Sequence, residues 1–484
     1  MYLGLDLGTS AVKALLIDGD QRPVASASGA LEVSRPHPGW SEQNPADWIA
    51  AAEDAVARLK ASHPGQLAAV RGIGLSGQMH GATLLGPAGE ALRPCILWND
   101  TRSHAEAAQL DADPRFRAIT GNIVFPGFTA PKLAWVRANE PKLFAATRKV
   151  LLPKDYLRLW LTGDYLSEMS DAAGTAWLDT AGRRWSGDLL AATDLDAAHM
   201  PALVEGTEPA GILRGALAAR WGMGGTVVVA GGAGDNAASA VGMGAVREGQ
   251  AFVSLGTSGV LFAANDGYRP SPDTAVHTFC HALPQTWHQM GVILSATDAL
   301  NWLAGVAGVA AADLSAELGD TLRAPSGVIF LPYLSGERTP HNDAAIRGVL
   351  AGLSHGSDRA ALAQAVAEGV AFALRDALEA LRAAGTPLRR VTATGGGSRS
   401  RYWLKAIATA LGIPVDMPAA GDFGAAFGAA RLGLIAAEGA DPHAICTAPA
   451  ISETVEPDRT HSSAYAEAYG RYRALYPAIK GALK

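Results

Sequence analysis

Residues 2–18 have the sequence YLGLDLGTSAVKALLID, in which an apolar run breaks at Gly8-Thr9-Ser10 and then resumes. This pattern predicts a strand, a tight turn and a second strand. Gly8 lets the backbone bend closely around a ligand, and Lys13 adds a positive charge. Thr9 and Ser10 add hydroxyl donors, and the N–H groups of such a turn can form a concave phosphate site. A plain β-turn favours the same residue types, so the motif alone leaves both interpretations open.

Asp6 stands at the end of the first predicted strand, beside this turn. A lone carboxylate next to phosphates is repelled unless a cation lies between them, and Mg²⁺ is the usual cation, often held through water. The sequence therefore predicts a catalytic Mg²⁺ site at Asp6.

The residues LGTS of positions 7–10 occur again at positions 255–258, within the segment FVSLGTSGVLF of residues 252–262. The repeat predicts a second phosphate hairpin, formed by Gly256, Thr257 and Ser258. Two such hairpins in two halves of the chain imply a duplicated pair of domains that face one cleft.

Length and composition agree with two globular domains. The 484 residues are too many for one ordinary core, so we expect domains over residues 1–245 and 246–484. The net charge of −6 argues against nucleic-acid binding. The three cysteines include no CxxC pair, which argues against a disulfide framework or a zinc site and favours the cytoplasm. The first strand begins at residue 2 and the apolar stretches are short, so we expect neither a signal peptide nor a membrane span.

A second apolar strand, residues 70–75, leads into Ser76-Gly77-Gln78-Met79-His80. Residues just past the end of such a strand are well placed to line a ligand crevice. Gln78, Met79 and His80 are therefore the first substrate candidates, although a single histidine is more often an ordinary surface or core residue.

A third strand-to-loop passage ends in Trp98-Asn99-Asp100. A tryptophan beside Asn and Asp can offer an apolar face to the C–H groups of a sugar and hydrogen bonds to its hydroxyls. A buried tryptophan followed by a capping aspartate is an equally good interpretation.

A β-branched strand opens into the glycine-rich run 231–234, which is followed by Asp235 and Asn236. An aspartate at a helix start is normally an N-cap. The glycines, however, leave room for a substrate and a γ-phosphate to meet at the Asp235 carboxylate, with Asn236 beside it as donor and acceptor.

Three further segments raise questions of function. Gly395, Gly396 and Gly397 lie between a strand and a helix, where bare backbone can accept a flat base or a phosphate. The histidines of residues 276–288 have irregular spacing and no acidic cluster, so a metal site is not favoured. Glu337 and Arg338 are expected to form an internal ion pair. Beyond about residue 440, the sequence predicts only a terminal helix.

The paired hairpins resemble the ATPase core shared by actin, the chaperone ATPases and the sugar kinases. The residues around them resemble, more specifically and over essentially the whole chain, the FGGY carbohydrate kinases. This resemblance implies an α/β fold of two actin-like (ribonuclease H-like) domains that face a central cleft. It also implies that Asp235 is the catalytic base, that Met79 and His80 contact the sugar, and that residues 395–397 bind adenosine.

The function implied by the resemblance is ATP- and Mg²⁺-dependent phosphorylation of D-xylulose to D-xylulose 5-phosphate. Ribulose, gluconate and glycerol are alternative acceptors, but family members that act on glycerol have charged residues in place of Met79 and His80. An actin-like ATPase without a sugar substrate, or a phosphatase on the same core, would need neither the residue 78–80 motif nor the glycine-rich run. A homodimer is a possible assembly.

Overall fold

The computed structural model describes residues 1–419, 421 and 423–482, with two seven-stranded mixed sheets at its centre. The strands of the first half are β1 (Tyr2–Leu7), β2 (Ala11–Ile17), β3 (Pro23–Ala30), β4 (Glu42–Gln43), β5 (Gly72–Gly77), β6 (Thr83–Leu85), β7 (Cys95–Ile96), β8 (Lys149–Leu151), β9 (Leu166–Glu168), β10 (Leu178–Asp179), β11 (Arg184–Trp185), β12 (Ala202–Val204), β13 (Pro209–Ile212), β14 (Val228–Ala230) and β15 (Ala233–Gly234). Its helices are α1 (Pro45–Ser62), α2 (Pro64–Ala68), α3 (His104–Asp111), α4 (Pro114–Thr120), α5 (Thr129–Asn139), α6 (Pro141–Ala146), α7 (Pro153–Thr162), α8 (Met169–Ala172), α9 (Gly187–Ala191), α10 (Gly215–Trp221) and α11 (Asp235–Met243).

The second half has nine described strands and seven described helices. The strands are β16 (Ala251–Leu255), β17 (Gly259–Asn265), β18 (His277–Cys280), β19 (Trp287–Ile293), β20 (Ile329–Leu331), β21 (Val349–Ala351), β22 (Val391–Thr394), β23 (Val415–Pro418) and β24 (Ile451–Val455). The helices are α12 (Thr297–Ala307), α13 (Ala311–Leu318), α14 (Arg359–Ala383), α15 (Arg401–Leu411), α16 (Ala425–Glu438), α17 (Pro442–Ile445) and α18 (Ser462–Ile479).

The two sheets repeat one topology. The first contains the order β3-β2-β1-β5-β14 and the second the order β19-β17-β16-β22-β23. In each, three antiparallel strands are followed by two that run parallel to the central one. Both predicted LGTS hairpins are confirmed, as β1–β2 and β16–β17, and they occupy the same corner of their sheets. The two predicted phosphate turns are therefore topologically equivalent.

Successive side chains of β1 point to opposite faces of the sheet, and a different helix covers each face. Leu3, Leu5 and Leu7 are completely buried in a cluster with α1 on one face. The opposite face carries Gly4, and a Cβ there would come within 1.9 Å of the Ala426 carbonyl oxygen in α16. The first sheet is therefore covered by α1 on one side and by α16 on the other.

Helix α16 follows the second sheet in sequence but lies on the first. A Cβ on Gly74 of β5 would come within 1.7 Å of the Ala429 oxygen, and one on Gly428 within 1.8 Å of the Ala238 oxygen in α11. Glycines on both sides thus let α16 fit between the first sheet and α11, joining the two halves. The predicted domain limits, 1–245 and 246–484, stay a prediction. Asp422, just before α16, lies outside the described residues.

Strand β18 of the second half contacts the first half beside the cleft. The Asn122 side chain donates to the Thr278 oxygen and accepts from the Thr278 nitrogen, both at 2.9 Å. Trp287 Nε1 of β19 donates to the Thr180 oxygen at 2.9 Å. The second half therefore packs directly against the first through β18 and β19.

Among the described residues, no single helix is long and apolar enough to cross a membrane. The helices α12 and α13, which are bent by 104° relative to each other, together have only the length and composition of a membrane span. In this structure α12 and α13 pack on α14 in the core of the second half.

Candidate active site

The first phosphate turn lies between β1 and β2, with Lys13 opposite Asp6 in the strand register. The Gly8 nitrogen donates to the Ala11 oxygen at 3.0 Å, which closes the turn. The tip is open to solvent at Ser10. The turn therefore presents backbone and hydroxyl donors next to the Asp6 carboxylate.

Side chains from three other segments hold this turn. Trp98 Nε1 donates to Thr9 Oγ1 at 3.0 Å, and Thr9 Oγ1 donates to Gln78 Oε1 at 3.3 Å. Gln43 Nε2 donates to the Thr9 oxygen at 2.8 Å, and Gln78 Nε2 donates to Gln43 Oε1 at 2.9 Å. Gln78 and Trp98 thus position the phosphate turn, and their predicted contact with a sugar stays a prediction.

The second phosphate turn is held by the start of α12. Thr297 Oγ1 donates to the Gly256 oxygen at 2.8 Å, and the Ala296 nitrogen donates to the Thr257 oxygen at 2.8 Å. Thr257 and Ser258 are exposed at its tip. Both turns are therefore held by hydrogen bonds from neighbouring segments and exposed to solvent at their tips.

Two carboxylates lie at the first turn. Asp6 Oδ1 accepts a hydrogen bond from Ser76 Oγ at 2.9 Å. Asp235, the first residue of α11, accepts from the Asn236 nitrogen at 2.7 Å and from Asn236 Nδ2 at 3.0 Å, both at Oδ1. Burial and the negative charge of Asp6 raise the pKa of Asp235 to about 7. Asp235 and Asn236 thus lie beside the first predicted phosphate turn. The raised pKa makes the Asp235 carboxylate unusually basic.

The glycine-rich run before Asp235 makes room for Met79. A Cβ on Gly234 would lie 2.9 Å from Met79 Cγ, and the Gly234 nitrogen donates to Ser170 Oγ at 3.1 Å. Met79 is buried against this glycine. Met79 therefore lies directly beside the Asp235 end of the site.

His80 is a neutral hydrogen-bond acceptor at this site. Its backbone has a φ of 71°, and Nδ1 donates to the Gly174 oxygen at 2.7 Å because a carbonyl can only accept. The ring stacks on Phe128, with centroids 4.8 Å apart. Burial, assisted by the Lys132 charge, lowers the pKa of His80 to about 3. The Nε2 atom is consequently left with a lone pair that can accept from a hydroxyl group.

The remaining predicted sugar contacts differ in their surroundings. Asn99 is exposed. Asp100 is buried, and its carboxylate accepts from Arg102 Nε at 2.9 Å and from the Ser41 nitrogen at 2.6 Å. This arrangement fits a loop-stabilising role for Asp100, and its predicted sugar contact stays a prediction.

A cavity of about 650 Å³ opens at the glycine triplet. It is lined by α12, α13 and the start of α15, together with Gly396 and Gly397. Gly395 has a φ of 89°, and a Cβ there would come within 2.6 Å of the Leu255 oxygen, next to the second phosphate turn. The cavity is large enough for a nucleoside and adjoins the second predicted phosphate turn. Sequence analysis missed its other polar lining residues, including Asn301 and Ser315, because the helical pattern of α12 and α13 shows nothing unusual.

The expected ion pair between Glu337 and Arg338 is not formed. Glu337 Oε1 accepts from the Leu294 nitrogen at 3.1 Å and from the Arg338 nitrogen at 2.8 Å. The Arg338 side chain points elsewhere, and its Nη1 donates to His277 Nε2 at 3.2 Å. Two strong backbone donors thus direct the carboxylate away from its neighbour. In the part of the chain that the structure describes, no group of three or more His, Cys, Asp or Glu side chains could hold a metal ion.

Models of two domains match the chain. The N-terminal domain of the FGGY family of carbohydrate kinases matches residues 1–242, and the C-terminal domain matches residues 251–437. A xylulose kinase of Escherichia coli (strain K12) is 52% identical over 441 residues, 90% of each chain. One of Klebsiella pneumoniae is 48% identical over 486 residues, 99% of each chain. The crystal structure of a "xyloylose kinase" from Brucella ovis has a TM-score of 0.98 and 68% identity over 99% of both chains. The predicted fold class, two actin-like α/β domains facing a cleft, is confirmed.

Proposed function

The chain belongs to the FGGY family of carbohydrate kinases, and on that premise we propose that it transfers the γ-phosphoryl group of ATP to the C5 hydroxyl of D-xylulose. The products are ADP and D-xylulose 5-phosphate. The observation that carries this proposal is the similarity to two xylulose kinases, at 52% and 48% identity, over 90% and 99% of the chain. The site is chemically compatible, since Met79, His80 and Asp235 lie together beside a phosphate turn.

Asp235 acts as the general base in this proposal. Its Oδ1 is bound to Asn236, so Oδ2 accepts the proton of the C5 hydroxyl while the phosphoryl group moves in line. A base with a pKa near the working pH is well matched to this step. The two phosphate turns, with Lys13, donate to the phosphate oxygens and stabilise the charge that develops on them. Closure of the cleft excludes water, which would otherwise be a competing nucleophile.

The residues present fit a Mg²⁺ ion that arrives with ATP. Asp6 offers a carboxylate at the phosphate turn, oriented by Ser76 Oγ at 2.9 Å. Magnesium is commonly held by one or two carboxylates, substrate phosphates and water, so Asp6 as the one protein ligand is sufficient while Asp235 serves as the base. When bound, the ion neutralises phosphate charge and orients the transferred group.

A panel of acceptors tests the proposed substrate. ADP release from MgATP is measured with D-xylulose, ribulose, gluconate, glycerol and no sugar. We expect strong stimulation by D-xylulose and weak stimulation by the others. If another acceptor stimulates ADP release equally or more, D-xylulose is not the preferred substrate, although the protein is still a kinase.

The pKa of Asp235 predicts the acidic limb of the pH profile. The base must be deprotonated, so kcat/KM should rise with pH through about 7 and level off above it, since kcat/KM reports the free enzyme. The measurement is kcat/KM for D-xylulose between about pH 5.5 and 8.5. A flat profile over this range would contradict a raised pKa at the essential base.

Gly396 offers a test of the nucleotide cavity. It lines the cavity, and a Cβ there meets nothing within 4 Å, so the fold tolerates a side chain. The variant Gly396→Val should raise the KM for ATP about 10-fold or more by filling space that the nucleoside needs, with the KM for D-xylulose unchanged. Gly215→Val, another open position but remote from the cavity, is the matched control. An unchanged ATP affinity in Gly396→Val would place the nucleoside elsewhere.

A cytoplasmic location and a homodimeric assembly are further parts of the proposal. The first rests on the absence of CxxC pairs among the three cysteines. Gel filtration coupled to light scattering measures the molar mass in solution and so tests the homodimer.

A further inference from the structure

Arg338 is a cation from the second half that reaches the first. It lies in the loop between β20 and β21, and its Nη1 donates to His277 Nε2 of β18 at 3.2 Å. The guanidinium carbon lies 4.6 Å from the centroid of the Phe125 ring. Arg338 therefore stands between a strand of the second half and an aromatic residue of the first.

The Arg338 guanidinium forms no ion pair with a carboxylate in the described part of the chain, although the nearby charge of Glu337 favours its protonated form. The adjacent Glu337 carboxylate accepts from the Leu294 and Arg338 backbone nitrogens at 3.1 and 2.8 Å. Burial lowers the pKa of Arg338 from its usual value. A partly buried guanidinium has five N–H donors, and an arginine in such surroundings normally binds an acceptor. Only one protein acceptor, His277 Nε2, is found among the described residues.

A row of aromatic rings connects Arg338 to the sugar site. His277 lies 5.9 Å from Phe128, and Phe128 stacks on His80 at 4.8 Å, measured between ring centroids. His80 is followed along the site by Met79 and then by the glycine that precedes Asp235. The rings therefore form a continuous row from the Arg338 loop to His80, which adjoins Met79 and the Asp235 end of the site.

The groups proposed to contact the sugar are mostly acceptors. His80 uses its only N–H on the Gly174 oxygen at 2.7 Å, so Nε2 accepts, and Asp235 is a carboxylate. Lys132 Nζ is fully buried and donates to the His80 and Gly127 oxygens at 2.8 and 2.7 Å. These groups suit sugar hydroxyls, which can donate. A ketose also has a carbonyl oxygen, which can only accept and is costly to bury without a donor.

We propose that Arg338 donates to the C2 carbonyl of the ketose and selects ketoses over the corresponding polyols. The inference rests on the proposed function, because it takes D-xylulose as the substrate, with C5 at Asp235 and the carbonyl end at Arg338. A polyol has a hydroxyl at C2 that can rotate to donate elsewhere, so it depends less on Arg338.

His277 positions the guanidinium. Because Arg338 can only donate, His277 Nε2 must accept, and the ring is neutral. Burial and the Arg338 charge lower the pKa of His277 well below its usual value, which keeps it neutral. Its Nδ1 has no partner among the described residues. The pair therefore fixes the direction of the remaining Arg338 donors.

The variant Arg338→Met tests the proposal, since methionine fills similar space without donors or charge. The KM for D-xylulose and the inhibition constants of xylitol and D-arabitol, its two reduction products, are measured in wild type and variant. We expect a loss of about 10- to 100-fold in kcat/KM for D-xylulose, mainly through KM, because a charged hydrogen bond is removed. The pentitol inhibition constants should change less than about threefold, since their C2 hydroxyl has other partners.

Thr339→Val is the matched control for loop damage. Thr339 Oγ1 accepts from the Val292 nitrogen at 3.0 Å and donates to the Ala275 oxygen at 3.1 Å, so its loss loosens the same loop. We expect a lower Tm but an unchanged preference for ketose over pentitol. Equal losses for ketose and pentitols in Arg338→Met, or no loss for D-xylulose, would overturn the role of Arg338. If the wild-type protein does not phosphorylate D-xylulose at all, that result would instead overturn the proposed function.

Discussion

Asp235→Ala should lower kcat by roughly 10²- to 10⁴-fold, the usual size of a general-base contribution. The C5 hydroxyl would then lose its proton to water or to phosphate, neither of which is held at the reacting atom. Asp235→Asn keeps the shape and should lose a similar amount. Steady-state kinetics with saturating MgATP and D-xylulose gives the value.

The affinity for ADP and the Tm serve as controls in both variants. We expect little change in ADP affinity, because Asp235 lies beside the first hairpin turn whereas the proposed nucleoside cavity lies at Gly396 and Gly397. The removal of a repelled carboxylate near Asp6 should not destabilise the fold. A kcat close to wild type would remove Asp235 from the role of base.

Gly74→Ala should destabilise the protein by about 3 kcal/mol or more, since overpacking against rigid backbone costs at least the upper part of the usual range. The new Cβ would lie 1.7 Å from the Ala429 oxygen, so α16 must move off the first sheet. Because α16 joins the two halves, activity should fall together with stability. Urea unfolding followed by tryptophan fluorescence measures the free energy of unfolding.

Gly215→Ala is the matched control for this substitution. A Cβ at Gly215 meets nothing within 4 Å, and the residue begins α10. Alanine there should leave stability unchanged or raise it by up to about 1 kcal/mol. If Gly74→Ala unfolds at the same urea concentration as wild type, α16 is not packed on β5 as the structure has it.

The two hairpins can be predicted from the sequence because the interactions that form them are local. Strand periodicity and the Gly-Thr-Ser turn are contained in fewer than twenty residues, and their recurrence reveals the duplication. The position of α16 cannot be predicted in this way. Gly4 and Gly74 signal that something approaches the strand closely, but the approaching helix comes from the far end of the chain.

Some features of the candidate site can likewise be predicted from the sequence, whereas others depend on the tertiary structure. Asp235 and His80 each follow a strand end, which the sequence shows directly. The tautomer of His80 depends on the Gly174 oxygen, and the surroundings of Asp100 depend on Ser41, so both require the fold. Arg338 was obscured by its neighbour Glu337, because adjacent opposite charges suggest a pair. Only the tertiary structure brings His277 to the guanidinium and the Leu294 nitrogen to the carboxylate.

Product analysis after incubation with MgATP and D-xylulose tests the central claim most directly. NMR spectroscopy of the mixture should show one ADP for each sugar phosphate, with the phosphate on the C5 oxygen, and little ADP when the sugar is omitted. ADP formed at the same rate with and without sugar, together with inorganic phosphate and no sugar phosphate, would contradict the account and identify an ATPase without a sugar substrate.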